Sequence, residues 1–120
     1  MKKNNIIEEK SFNFAKRIVG LYFQITNTKN EYVLSKQLLR CGTSIGANVA
    51  ESQAAQSRND FVSKLSIALK ETNETKYWIK LLFEIEYISK EDYLSLINDC
   101  DEIYKILSSI ILSSKNAQDS

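Results

Sequence analysis

Histidine does not occur in this 120-residue chain, and its absence removes the commonest general base and the commonest metal ligand. Proline is also absent and glycine occurs only three times, so little in the chain forces a helix to break. No run of about eighteen apolar residues is present, which leaves no candidate membrane-spanning helix. The amino terminus, MKKNNIIEEK, turns charged too early for a signal peptide, and a cytoplasmic location is expected. Only two cysteines occur, Cys41 and Cys100, with no CxxC spacing. Both lie within apolar stripes and read as free, buried thiols. G-x-S-x-G, Walker-type and GxGxxG motifs are missing. So is any strand-like alternation or linker, and residues 1–120 form a single domain in this reading.

What is present is helical periodicity, in four segments. The first runs from about 6 to 26, with Ile7, Phe14, Ile18, Leu21 and Ile25 on one face. Phe12, Val19 and Phe23 make a second apolar line beside it, more than one buried stripe requires. TNTKN (26–30) is a polar turn, with Asn30 as the expected cap of the next helix. The second helix covers about 31–54, with a core line of Leu34, Leu38, Cys41, Ile45 and Val49. Ser57 and Asp60 have the S-x-x-D form of a capping box and open a third helix over about 58–87. Its core positions include Phe61, Leu65, Ala68, Thr72, Thr75, Ile79 and Leu82. Ser89 and Asp92 repeat the S-x-x-D form before a fourth helix over about 90–114. Tyr93, Ile97, Cys100, Tyr104, Leu107 and Ile111 are its core line, and KNAQDS is expected to fray. Four helices joined by short turns predict an all-α, antiparallel up-down-up-down bundle.

The second helix carries the most unusual string, LLRCGTSIGANVAE (38–51). Gly42, Gly46 and Ala50, with Ala54 beyond, fall four residues apart on one narrow line. Each glycine costs about 1 kcal/mol relative to alanine inside a helix. A line of such residues predicts close approach of a neighbouring backbone, within the bundle or from another subunit.

The centre of the third helix is polar where a core is expected. Folding the second and third helices about the turn near Gln56 places Arg40 within reach of Glu71 or Glu74 and Glu51 within reach of Lys64. An unpaired charge at a packed surface costs several kcal/mol, on the order of 3–5. An interhelical network of Glu51, Lys64, Glu71, Glu74 and Arg40 that fixes helix register is therefore expected. Glu71 and Glu74 (ETNE) also look like half of a di-metal carboxylate site, but such sites need Glu-x-x-His on two helices. No metal, cofactor or catalytic residue is expected.

The net charge of +1 conceals a gradient. Residues 1–40 hold eight basic and three acidic side chains, whereas residues 81–120 hold three basic and eight acidic. Lys10, Lys16, Arg17, Lys36, Arg40 and Arg58 are the candidate phosphate contacts, salt-dependent and indifferent to sequence.

The strings QLLRCGTSIGANVAES (37–52) and DFVSKLSIALKETNETKYWIKLL (60–82), with KSFNFAKRI (10–18), resemble the four-helix-bundle family of ribosomal RNA intervening-sequence proteins. These are small bacterial proteins, related to the accessory variability determinant of diversity-generating retroelements. The resemblance covers nearly the whole chain. It implies an antiparallel four-helix bundle assembled as a homopentamer around a central channel. The retroelement relative is strongly basic and binds nucleic acid and a reverse transcriptase, whereas this chain is near neutral. Gly42, Gly46 and Ala50 and the polar block Lys64, Glu71 and Glu74 match the family pattern, and neither set is catalytic.

Two functions follow as expectations. In the first, a non-enzymatic homo-oligomer binds RNA or a ribonucleoprotein through basic faces of its first two helices. In the second, the chain is a protein-interaction scaffold with no nucleic-acid role, and its basic residues pair with Asp99, Asp101 and Glu102 across an interface. On the assembled oligomer, a contiguous positive ring favours the first and a charge mosaic the second.

Overall fold

The computed structural model describes the backbone of residues 2–119 and the side chains of residues 6–117. It contains four helices and no strand among the described residues: α1 (Lys2–Lys29), α2 (Leu34–Ser52), α3 (Arg58–Glu84) and α4 (Lys90–Asp119). They pack into a body 52 × 22 × 20 Å, one helix length long and two helices thick. α1 lies on α2, α2 on α3 and α3 on α4, and α4 returns to meet α1 more sparsely; the diagonal pairs stay apart. Contacts run in reverse order along each neighbouring pair. Gly42 and Gly46 meet Ile18 and Ser11, and Arg40 and Glu51 meet Glu71 and Lys64. No helix among the described residues is long and apolar enough to cross a membrane.

Sequence signals explain the starts of α3 and α4. Ser57 has extended backbone, and its hydroxyl accepts the Asp60 N–H at 3.0 Å, opening α3. Ser89 accepts the Asp92 N–H at 3.1 Å in the same way for α4. The start of α2 differs from expectation. Asn30 does not cap it; at φ 53° Asn30 follows the end of α1 in the left-handed region that Asn tolerates. The cap is the Glu31 carboxylate, which accepts the N–H groups of Val33, Leu34 and Ser35, each at 2.8 Å. That geometry delays the helix to Leu34, so residues 31–33 lie outside it, while α1 runs on through most of TNTKN. α2 ends at Ser52 and α3 at Glu84, short of the expected 54 and 87. α4 continues past the expected 114 into KNAQDS, as far as Asp119.

The core lines of α1, α2 and α3 bury as the periodicity predicts, with Leu34 and Phe61 only half-buried at their ends. α4 is rotated relative to its expected line. Leu96, Cys100, Ile103, Leu107 and Ile110 fill the interior with Ile111, while Tyr104 stands at the surface and Tyr93 and Ile97 lie at the margin. A tyrosine hydroxyl is cheaper at a wet margin than in a core already lined by leucine and isoleucine. Phe83 and Tyr93 stack 4.1 Å apart beside the α3–α4 turn. The polar centre of α3 is accommodated without buried cost. Thr72 and Thr75 are fully buried, and their hydroxyls donate to the carbonyls of Ala68 (2.8 Å) and Glu71 (2.7 Å) on their own helix.

Candidate functional site

The small-residue row resolves into two kinds of contact. A Cβ added at Gly42 would lie 2.9 Å from Cγ1 and Cγ2 of Ile18 on α1. One added at Gly46 would lie 3.2 Å from the Ser11 carbonyl oxygen, a backbone atom that cannot rotate away. These two glycines let α1 and α2 of the same chain approach. Ala50 is exposed and borders an open groove of about 400 Å³ between α1 and α2, lined by Phe12, Gly46 and Val49 with Glu8 and Glu9 on the rim.

Arg40 reaches from α2 to both acids of α3, through Nη1 to Glu71 Oε2 (3.5 Å) and through Nη2 to Glu74 Oε2. Glu74 also accepts Trp78 Nε1 at 3.3 Å. Glu71 is only 14% exposed, so this acid sits within the helix–helix seam. Lys64 pairs with Glu51 separately, at 3.8 Å. The expected single network is therefore two clusters along one seam. At its inner edge Cys41 is buried, and burial pushes its thiol pKa up; burial pushes Cys100 up to about 12. Neither thiol has the thiolate character that nucleophilic chemistry needs. No cluster of three metal-ligating side chains occurs among the described residues.

The basic residues fall into distinct settings. Lys10 Nζ bonds Glu102 Oε2 and Arg17 Nη1 bonds Asp99 Oδ2, each at 2.8 Å, across the α1–α4 seam. The hydrogen bond from Lys10 holds the Glu102 carboxyl below its ordinary pKa, and the same bond raises that of Lys10. Lys76 bonds Asp101 at 2.7 Å across the α3–α4 seam. The three acids expected to pair across an interface thus take their partners within the chain. Lys16 is exposed and lies over the Phe12 ring, 5.6 Å from its centroid. Lys36 and Arg58 are exposed and make no ion pair among the described residues. Lys10, Arg17 and Arg40 are drawn into mixed-charge seams and do not form one positive face with the other three.

The outer apolar line of α1 stays uncovered, with Phe12 64% and Phe23 57% exposed and Val19 beside them. A second exposed surface escaped the sequence reading. Tyr77 projects outward from α3, edge-on to Trp78 at 5.1 Å, between the exposed Lys70 and Lys80. Its signal was available, since Tyr77 falls off the core line that includes Thr72, Thr75 and Ile79.

Comparison with known proteins gives a consistent match. A family model described as 23S rRNA-intervening sequence protein matches residues 3–109. The crystal structure of a protein with unknown function from the S23 ribosomal protein family of Bacteroides thetaiotaomicron is 57% identical. It superposes with a TM-score of 0.89, over 91% of this chain and 97% of that one. No curated protein matches the chain.

Proposed function

This chain belongs to the 23S rRNA-intervening sequence protein family, and from that premise we propose that it is a non-enzymatic, self-associating helical scaffold of the cytoplasm. The observation that carries the reading is the charge mosaic. Lys10, Arg17, Arg40 and Lys76 each lie against an acid of the same chain, so basic and acidic groups alternate along these seams. The reversed order of contacts along neighbouring helices supports an up-down-up-down bundle.

The partner is a second copy of the chain, docking on the α1 line of Phe12, Val19 and Phe23. Several large apolar side chains on one exposed stripe mark an interaction surface. The α4 acids Asp99, Asp101 and Glu102 already pair within the chain, so apolar contact and not charge drives the docking. A contact between unlike surfaces is heterologous, and heterologous contacts close into rings when the rotation permits. A closed ring is the form that the homopentamer implied by the family resemblance would take. Replacing Phe12 and Phe23 together by aspartate tests this. Both are exposed, so the variant keeps its helicity while its sedimentation shifts to the monomer. An unchanged oligomer would remove α1 as the interface.

RNA or ribonucleoprotein binding is the second reading, and the exposed Lys16, Lys36 and Arg58 favour it. Its test is a titration with structured RNA at low and physiological salt. Absence of binding at both, or binding indifferent to replacement of Lys16, Lys36 and Arg58, rules it out.

A further inference from the structure

The α1–α4 seam is the sparsest of the four helix contacts, and two ion pairs span it. Lys10 and Arg17 stand two helical turns apart on the same side of α1. Asp99 and Glu102 answer them from adjacent turns of α4. Between the pairs lies a cleft of about 190 Å³, floored by Phe14 and Ile103 with Asn13 on its wall. All four charged side chains remain more than a third exposed. An anion in solution can reach the same cations from outside, and exposed pairs of this kind are weakened by salt.

A carboxylate and a phosphodiester present the same two-oxygen edge to a guanidinium or an ammonium group. We propose that Asp99 and Glu102 act as intramolecular stand-ins for phosphate, masking Lys10 and Arg17 so that RNA engages α1 only by displacing the α4 carboxylates. The inference rests on the RNA reading above and assigns its regulation. RNA is the competitor the geometry favours over a small anion. A small anion replaces one carboxylate on one cation. A strand takes both cations together, releasing a counterion at each phosphate contact.

The test compares four full-length proteins binding a short RNA hairpin across a salt series. They are the unaltered chain, D99N/E102Q, the charge-matched control E84Q/E86Q, and D99N/E102Q combined with K10Q/R17Q. Glu84 and Glu86 are exposed and make no ion pair among the described residues, so their replacement alters net charge equally without touching the seam. D99N/E102Q should bind about tenfold or more tightly than the unaltered chain at low salt, with a steeper loss of affinity as salt rises. E84Q/E86Q should gain less than about threefold, and K10Q/R17Q should erase the gain. Helicity of each variant is checked alongside. Equal gains from D99N/E102Q and E84Q/E86Q would overturn the masking while leaving RNA binding intact. No binding by any of the four at low salt would overturn both.

Discussion

A methyl group added at Gly42 would press on both Cγ atoms of Ile18, a fully buried, β-branched side chain with no free rotamer to retreat into. Gly20 lies on an exposed part of α1 with nothing within 4 Å of the same added atom. The two glycines should therefore answer alanine in opposite senses. Gly20→Ala should stabilise the fold by about 1 kcal/mol through helix propensity alone. Gly42→Ala gains the same term but overpacks the α1–α2 contact, for a net loss of about 1–2 kcal/mol. Gly46→Leu, directed at the Ser11 carbonyl, should lose about 2 kcal/mol or more. Urea denaturation measures all three, and a Gly46→Leu protein of unchanged stability would show that the row is idle. The spacing of Gly42, Gly46 and Ala50 was plain in the sequence, because helical geometry puts every fourth residue on a line. That α1 of the same chain is the neighbour for the two glycines was not, because periodicity on one helix carries no address.

Among the elements, α2 depends on one side chain at its start. Three backbone N–H groups that would otherwise lack partners converge on the Glu31 carboxylate. Burial pushes this carboxyl pKa up, but the hydrogen bonds outweigh it and leave the group below its ordinary value of 4.5. A carboxyl whose folded pKa is depressed stabilises the fold above its unfolded pKa, and that stabilisation is lost as pH falls through the folded value. Glu31→Ala should cost about 1 kcal/mol near neutral pH. The difference between the two proteins should shrink as pH drops below 4.5. A constant difference across that window would contradict the capping role. Sequence reading identified the caps of α3 and α4 because Ser at S-x-x-D has a direct rule behind it. The start of α2 has no such rule, because glutamate reaches forward to N–H groups two to four residues on, and Asn30 offers a more familiar cap. The rotation of α4 has a similar origin. Two apolar lines share Cys100 and Leu107, and the choice between Ile103 and Tyr104 depends on what α3 presents opposite them.

At the level of the molecule, the charge gradient is the feature whose meaning changed most. Counted along the sequence it suggests a basic first third open to a polyanion. Folded, it places α4 acids against α1 bases at Lys10–Glu102 and Arg17–Asp99, so much of the gradient is spent inside one chain. A count of charges holds no information about which helix returns beside which. The second apolar line of α1 was legible as a surplus, and it is the surface left uncovered. On the proposed function, this protein assembles with itself through apolar surface and carries no RNA in its resting form. The most direct measurement is the native mass of the purified protein at physiological salt, with the nucleic-acid content read from absorbance in the same sample. A single closed oligomer of protein mass alone is the predicted result. A monomer at micromolar concentration, or an oligomer that retains RNA, would contradict it.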